Sequence, residues 1–213
     1  CLQLDFCREL SRLEPFGAGN PQPLFLIRNL RVLSVDGVSA DRHTRISFQT
    51  SSGQVIKGMF FGVSPCCAGC FPGDVAEVIG SVSENVFRGV HSLSLQIKSL
   101  NLPAYEADFS QAEKDWHLYE KTGESPVQIT RSDVSSVYRA VRALSADGRC
   151  ETTPLTLSRR ARIGYLSCRL CLSVLEELKL IHITVSPVKL LKEGSFLRIE
   201  MLIGRAKKKK KNL

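Results

Sequence analysis

Hydrophobic and polar residues alternate along much of the stretch from residue 25 to residue 102. In the segment 43–50 the two sets alternate strictly, with Thr44, Ile46 and Phe48 on one side and Arg45, Ser47 and Gln49 on the other. A period of two predicts a strand with one buried and one exposed face. Turn residues separate similar stretches, which predicts five strands at 25–35, 43–50, 54–61, 75–82 and 91–100.

The order of these stretches predicts a small closed barrel. Residues 64–73 separate the third and fourth strands and leave room for one helical turn. Three strands, a short helix and two further strands are the element order of the OB-fold, whose strand 2 and 3 surface commonly holds single-stranded nucleic acid. We therefore predict a five-stranded OB-fold barrel over residues 25–102, with a break in the first strand near Asp36 and Gly37.

The remainder of the chain has a helical period. Residues 103–129 are interpreted as a linker with one short helix at 110–121. Thr130 followed by Asp133 matches a helix-capping pattern, and a single apolar face runs from there to Leu144. Further predicted elements are a helical region beginning at 154–158 and continuing at 164–180, and a hairpin of 181–185 and 196–203 around a turn at 192–194.

Helices followed by a terminal hairpin predict a winged-helix-like domain at 130–204, a variant of the helix-turn-helix. The predicted fold class is therefore mixed β and α+β. It consists of a five-stranded OB-fold barrel followed by a winged-helix-like domain.

Charge is distributed unevenly along the chain. The net charge is −3 over residues 1–125 and +11 over residues 126–213, which gives the total of +8. Five of the positive charges form the lysine run 207–211, and residues 205–213 are predicted to be a basic disordered tail. Such a run attracts any polyanion without reading its sequence, but it is equally typical of a solubilising tail.

The eight cysteines include two pairs with CxxC spacing, Cys67 with Cys70 and Cys168 with Cys171. A zinc ribbon needs two such pairs separated by about 15 to 20 residues, and here the pairs are much farther apart. Cys168 and Cys171 also fall within an apolar helical pattern, where cysteine acts as a small apolar residue. Structural thiols are the favoured interpretation, with a metal site or redox chemistry as alternatives.

The most specific segment is residues 13–25, LEPFGAGNPQPLF. Its three prolines fix φ and its two glycines allow backbone conformations that other residues avoid, so it is predicted to be a stiff joint. The segment closely resembles the joint between the catalytic core and the OB domain in the RecJ family of single-stranded-DNA-specific exonucleases. The sequences ENVFRG at 84–89 and LQIK at 95–98 resemble that family's last hairpin and strand.

The resemblance covers residues 1 to 102 well. It continues at lower specificity through 130–133, 137–139 and 174–181, which look like the extra C-terminal domain of some RecJ proteins. It implies that residues 1–24 are the end of an upstream catalytic region plus the Pro/Gly joint. The start at Cys1, without a helix cap, leads us to expect a piece of a longer polypeptide.

The family's chemistry is 5′-to-3′ hydrolysis of single-stranded DNA in repair and recombination, with two divalent metals held by an Asp-His-His motif in upstream domains. This sequence lacks that motif, and its four histidines are scattered. The resemblance therefore implies a strand-holding part with no catalytic residues and no cofactor of its own, Mn²⁺ or Mg²⁺ belonging to the parent enzyme. Implied partners are single-stranded DNA, the upstream catalytic domains and other DNA repair proteins. No apolar run approaches the roughly 18 residues of a membrane span, so we expect a cytoplasmic protein.

Candidate DNA contacts combine positive charge with aromatic rings, because phosphate neutralisation and base stacking are the two contributions to single-strand binding. In the barrel they are Arg42, Arg45, Lys57, Phe61, Phe87 and Arg88. Arg45 is the preferred candidate because alternation places it opposite Ile46 and Phe48. Phe48, Phe60 and Phe61 lie among apolar neighbours and are expected in the barrel core.

In the second domain the candidates are Arg159, Arg160 and Arg162, which precede a predicted helix. A helix start favours anions, so arginines beside it would add to that attraction. A solvated basic face is the competing interpretation, and a protein-binding role for this domain is equally open. Two other functions stay open for the chain, a stand-alone OB plus winged-helix module that binds nucleic acid or protein, and a metal- or redox-active enzyme that uses the CxxC pairs.

Overall fold

The computed structural model describes residues 4–186 and 196–202, and the predicted tail at 205–213 and turn at 192–194 lie outside that range. The chain divides into two compact units, Cys1–Ala104 and Tyr105–Leu213. Each is described by itself below. Among the described helices, none is both long and apolar enough to cross a lipid bilayer.

The first unit is a closed barrel of five strands preceded by a helix. The helix is α1 (Leu4–Ser11), and the strands are β1 (Phe25–Val38), β2 (His43–Gln49), β3 (Val55–Phe60), β4 (Val75–Phe87) and β5 (Val90–Asn101). The strands follow one another around the barrel in the order β1-β2-β3-β5-β4. β3 and β5 pair in parallel and the other neighbours are antiparallel. The predicted five-stranded barrel is confirmed, and its topology is consistent with an OB-fold.

The barrel core follows the period-two pattern. Ile46, Phe48 and Phe60 are fully buried, together with Leu30 and Leu95. The prediction that Phe61 also belongs to the core is wrong, because its side chain is 49% exposed. β3 ends at Phe60, and the inward direction of Phe60 sends the next side chain to the outside.

Two strands are longer than predicted. β1 continues to Val38 through Asp36 and Gly37, where a break was expected. A β-bulge between Val32 and Ser34 bends this strand without ending it. β4 continues five residues past Val82, because its last residues pair with β5 as a hairpin.

The segment between β3 and β4 holds the expected single helical turn. The N–H of Ala68 donates to the Ser64 carbonyl at 3.0 Å, which is one α-helical hydrogen bond, and no helix continues from it. Cys67 and Cys70 are buried in this segment and Cys66 is half-buried. The first CxxC pair thus lies against the barrel.

The joint at residues 13–25 is tied by one asparagine. Gly17 and Asn20 exchange two backbone hydrogen bonds of 2.8 and 3.1 Å, which closes a tight turn. The side-chain amide of Asn20 donates to the carbonyls of Leu13 and Pro15 at 2.8 and 3.1 Å. These hydrogen bonds add to the restraint that the prolines are predicted to place on the joint.

Helix α1 rests on the barrel through three kinds of contact. The Phe6 ring meets Phe25 edge-on at 5.3 Å, Arg8 pairs with Glu84 at 3.5 Å, and Cys7 is buried. Burial, with a smaller effect of Glu84, raises the pKa of the Cys7 thiol. The thiol therefore stays protonated at neutral pH.

The second unit packs helices against a three-stranded sheet. Its helices are α2 (Pro103–Thr122), of which the part from Tyr105 belongs to this unit, α3 (Arg131–Leu144), α4 (Pro154–Ala161) and α5 (Tyr165–Glu177); its strands are β6 (Arg149–Thr152), β7 (Ile181–Ser186) and β8 (Phe196–Met201). The sheet order is β6-β8-β7, and all pairs are antiparallel. The predicted pairing of the last two strands is thus present.

The helices differ in length from the predicted ones. α2 starts at Pro103 rather than at 110, since proline suits the first turn of a helix, where no N–H partner is needed. α4 and α5 are separate helices because Arg162 adopts a left-handed conformation between them. α5 covers 165–177 rather than 164–180.

Cys168 and Cys171 lie in the core between α3, α5 and the sheet, where both are fully buried. Burial, and then the charge of Asp133, raise the pKa of Cys171 to about 11, and burial raises that of Cys168 as well. Both cysteines therefore act as small apolar side chains, as the helical pattern indicated.

A polar network joins α2 to α5. Glu113 accepts hydrogen bonds from the Tyr165 hydroxyl at 2.5 Å and from Arg169 at 2.7 Å. The Arg169 guanidinium also lies 4.1 Å from the centre of the Trp116 ring, which is buried against Leu166 and Leu170. These contacts hold α2 as part of the second unit.

Candidate nucleic-acid interface

The outward side chains of β2 and β3 form a surface of mixed polar and apolar residues, which we call the strand 2–3 face. It consists of His43, Arg45, Ser47 and Gln49 from β2, and of Val55, Lys57, Met59 and the adjoining Phe61 from β3. Inward residues of both strands fill the barrel, so every second residue is left for solvent. This alternation is the reason that the sequence can place Arg45 and Lys57 on one surface.

Arg45 and Lys57 provide the positive charge of this face. Arg45 is opposite Met59 and Lys57 is opposite Ser47, which makes the two cations diagonal neighbours on adjacent strands. Both side chains are exposed. On its other side, Lys57 pairs with Ser94 of β5. On its other side, Arg45 is opposite Asp36 of β1, so one carboxylate lies in register beside this cation. Lys57 has the hydroxyl residues Ser47 and Ser94 on its two sides, so it is the cation with no acidic register partner.

An aromatic pair ends the strand 2–3 face. The rings of His43 and Phe61 meet edge-on, with their centres 5.4 Å apart and their planes at 69°. The N–H of Gly62 donates to His43 Nδ1 at 2.9 Å, so this nitrogen is an acceptor and the ring is held in place. Half of the Phe61 surface is open to solvent, which leaves a ring available for stacking on a base.

His43 is the residue of this face that the sequence did not single out. Its ring was expected to be one of four scattered surface or core histidines. Its position in the sequence could have indicated it, because His43 lies two residues before Arg45 and therefore on the same exposed side of the alternating segment 43–50.

The loop between β1 and β2 carries Arg42 at the edge of this face. Ser39, Ala40 and Asp41 all have positive φ, between 55° and 60°, and Arg42 donates from Nε to the Ser39 carbonyl at 3.2 Å. Three successive left-handed residues other than glycine are costly, about 1 to 2 kcal/mol each. These left-handed residues form a compact turn, which places Arg42 directly before His43.

The hairpin between β4 and β5 carries Arg88. Arg88 and Gly89 have φ of 51° and 76°, the signature of a tight two-residue turn between antiparallel strands. Arg88 precedes Ser94, the register partner of Lys57, by six residues. His43 and Phe61 lie at the other end of the strand 2–3 face. Phe87 pairs with Val90 through its backbone, and its side chain lies outside the described part.

The second-unit candidates sit at the end of α4. Arg159 and Arg160 are in its last turn and Arg162 caps it. The Arg159 guanidinium lies 4.7 Å from the centre of the Tyr105 ring, so it packs within the unit. Arg160 and Arg162 are exposed.

The four histidines have separate partners. His91 shares a 2.6 Å hydrogen bond with Glu84, His117 one of 3.2 Å with Glu120, and His182 lies 3.4 Å from Glu176. The bond from His91, and then the charge of Arg8, lower the pKa of Glu84. Within residues 4–186 and 196–202, no group of three or more potential ligands lies close enough to hold a metal ion.

A closed five-stranded barrel whose strands 2 and 3 present an exposed outer face is typical of the class of OB-fold domains. Residues 1–99 match the family model described as the RecJ OB domain. This match identifies the first part of the chain as a RecJ OB region and confirms the resemblance seen in the joint and the last hairpin.

The chain is also similar to individual RecJ proteins. The single-stranded-DNA-specific exonuclease RecJ of Bacillus subtilis is 25% identical over 140 residues, which are 65% of this chain and 16% of the relative. Two crystal structures of Thermus thermophilus RecJ, one with Mg²⁺ and one with Mn²⁺, are each 29% identical to this chain with a TM-score of 0.34. Each match covers 44% of this chain, and it covers 14% of the RecJ chain with Mg²⁺ and 13% of that with Mn²⁺. The chain thus spans about a sixth of the length of the curated relative.

Proposed function

We propose that this chain is the single-stranded-DNA-binding C-terminal portion of a RecJ-like 5′-to-3′ single-strand exonuclease that acts in DNA repair and recombination. In this proposal the catalytic motifs and their Mn²⁺ or Mg²⁺ lie in upstream domains, which are partners of the barrel. The observation that carries it is the strand 2–3 face, where the half-exposed Phe61 and His43 adjoin Arg45 and Lys57.

The two contributions to binding have separate residues on this face. Arg45 and Lys57 would neutralise phosphates and so release counterions, which makes affinity fall as salt rises. Phe61 would stack on a base, an interaction worth about 1 to 3 kcal/mol that tolerates any base. Such a face would hold a strand regardless of sequence, as an exonuclease requires. Phe87 and Arg88 at the β4–β5 turn and Arg42 in the β1–β2 loop would extend the track.

For the second unit we propose a winged-helix-like fold. Helix α3 is followed by strand β6, helices α4 and α5, and the paired strands β7 and β8, with β8 between β6 and β7. This order of helices and strands fits a helix-turn-helix variant closed by a hairpin.

The test separates charge from stacking. In the Arg45→Ala/Lys57→Ala variant, we expect the slope of log affinity against log salt for an oligothymidine of about 15 nucleotides to fall by about 1.4, since each lost phosphate contact removes about 0.7. Phe61→Ala should weaken binding by about 5- to 150-fold and leave the slope unchanged, because stacking releases no counterion.

The matched control is Arg12→Ala/Arg28→Ala, which removes the same charge from the first unit outside strands 2 and 3. Both arginines are exposed, and they pair with Glu9 at 2.8 Å and with the half-buried Glu77 at 3.4 Å, so we expect little stability to be lost. Equal losses in control and test variants would disprove the assignment of the strand 2–3 face.

A further inference from the structure

The second unit has a groove between α3 and the end of α4, which we call the α3–α4 groove. Its volume is about 370 Å³. It is lined by Ser136, Arg139, Ala140, Ala143, Arg160, Ala161 and Arg162. Three of these residues are arginines and none is acidic.

The floor of the groove is made of small side chains. Ser136, Arg139, Ala140 and Ala143 recur at helical spacing, so they occupy one face of α3. Ala140, Ala143 and Ala161 leave open the space that larger side chains would fill. A ligand can therefore approach the two helices closely.

The arginines stand around this floor. Arg139 is exposed and donates from Nη2 to Ser136 Oγ at 3.0 Å, which restrains its guanidinium at the wall of the groove. Arg160 and Arg162 are exposed on the α4 side. A guanidinium has five N–H donors, so each of these side chains keeps donors for a ligand beyond any single contact.

Arg162 is placed there at a conformational cost. As the C-cap of α4 it has φ 57° and ψ 43°, the left-handed region in which glycine is the usual residue. Its N–H bonds to the Arg159 carbonyl at 3.3 Å, and the next N–H, of Ile163, bonds to Ser158 at 3.0 Å. An arginine at a position suited to glycine points to a role for its side chain.

We propose that the α3–α4 groove binds a phosphate of a nucleic-acid backbone through Arg139, Arg160 and Arg162. The choice of nucleic acid as ligand rests on the proposed function, whereas the site itself is separate from the strand 2–3 face. A guanidinium group can donate two parallel hydrogen bonds to two oxygens of one phosphate. An acidic peptide is disfavoured because the alanine floor offers no deep apolar pocket for an anchoring side chain.

The variant Arg139→Gln/Arg162→Gly tests this proposal in the full chain. Glycine suits the left-handed cap and glutamine suits a helix, so both changes remove charge while the local backbone is preserved. We expect binding of a fluorescein-labelled oligothymidine of about 15 nucleotides, and of a duplex of similar length, to weaken roughly tenfold. Both salt slopes should fall by about 1 to 2.

The matched control is Arg131→Gln/Arg142→Gln, which removes two exposed arginines from α3 outside the groove. It should change affinity by less than about twofold, since it removes only long-range attraction. An equal loss in control and groove variants would overturn the proposal. So would an unchanged salt slope together with lost binding of a labelled poly-aspartate peptide, which would make the groove a protein-binding site.

The same titrations distinguish this site from the strand 2–3 face. If only Arg45→Ala/Lys57→Ala weakens binding, the groove proposal fails and the proposed function stands. If only the groove variant weakens binding, the groove is supported and the assignment of the strand 2–3 face fails. Thermal unfolding of Arg162→Gly alone should occur at or above the temperature of the parent chain, because glycine relieves the strained cap. A lower unfolding temperature would contradict the role assigned to this arginine.

Discussion

Thr130 and Asp133 begin helix α3 through a reciprocal pair of hydrogen bonds. The Asp133 N–H donates to the Thr130 hydroxyl at 3.2 Å, and the Thr130 N–H donates to the Asp133 carboxylate at 2.8 Å. The Thr130 hydroxyl donates to the same carboxylate at 2.7 Å. These bonds favour the charged carboxylate, and they lower the pKa of Asp133 from its ordinary value of 3.8.

This geometry predicts a pH-dependent contribution to stability. A carboxyl with a lowered pKa in the folded state stabilises the fold above pH 3.8 and loses that effect as the pH falls through the lowered value. We expect Asp133→Asn to unfold at a lower temperature than the parent chain at neutral pH. The difference should shrink below pH 3.8, as measured by circular dichroism. A difference that is constant with pH would contradict the role of the charge.

The side chains of the strand 2–3 face show which residue-level features can be read from a sequence. Alternation along β2 placed Arg45 outside and Phe48 inside, and both positions are as predicted. The same rule would have placed Phe61 outside, but its apolar neighbours suggested the core. The contact of Arg159 with Tyr105 joins residues far apart in sequence, so no local pattern could reveal it.

At the scale of elements, β4 and β5 depend on a close approach at Gly80. A Cβ atom at this position would lie 2.3 Å from the backbone carbonyl oxygen of Gln96. The register of the two strands shifts at this point, between Ile79 and Gly80. The bulge therefore needs a residue without a side chain.

We predict that Gly80→Ala lowers the free energy of unfolding by about 1 to 3 kcal/mol, because the backbone of β5 must move to admit the methyl group. Urea denaturation followed by circular dichroism measures this change. Gly17→Ala is the control, since no atom lies within 4 Å of its Cβ position. Equal stabilities of the two variants would show that the barrel accommodates the methyl group without cost.

Element order was predictable because strand periodicity and turn residues are local. The residues at which strands and helices begin and end were less predictable. β4 extends to Phe87 because β5 pairs with its end, and α2 reaches back to Pro103 although only part of its surface is apolar. In both cases contacts with another element, or a backbone preference, outweighed the local pattern.

For the whole molecule, the proposal predicts that the purified chain does not degrade DNA. Each histidine has its own partner, and no two share a carboxylate among the described residues. A pair of catalytic metal ions needs several ligands around one site. The chain with Mn²⁺ or Mg²⁺ should leave a 3′-labelled single strand at full length, with Bacillus subtilis RecJ as the positive control. Shortening of the strand from its 5′ end by this polypeptide would refute the proposal that the catalytic motifs lie in upstream domains.

The parallel pairing of β3 with β5 has a consequence for biogenesis. Residues 57–60 find their partners only when residues 94–97 are available, after β4 has been made and has turned back. During synthesis the open rim of β3 exposes unsatisfied backbone groups, a template for pairing with a neighbouring chain. The pairing of β3 with β5 joins segments that are distant in sequence, and such non-local pairing slows folding because chain entropy is lost before the contacts form. We therefore expect a polypeptide that is truncated before residue 94 to be prone to aggregate.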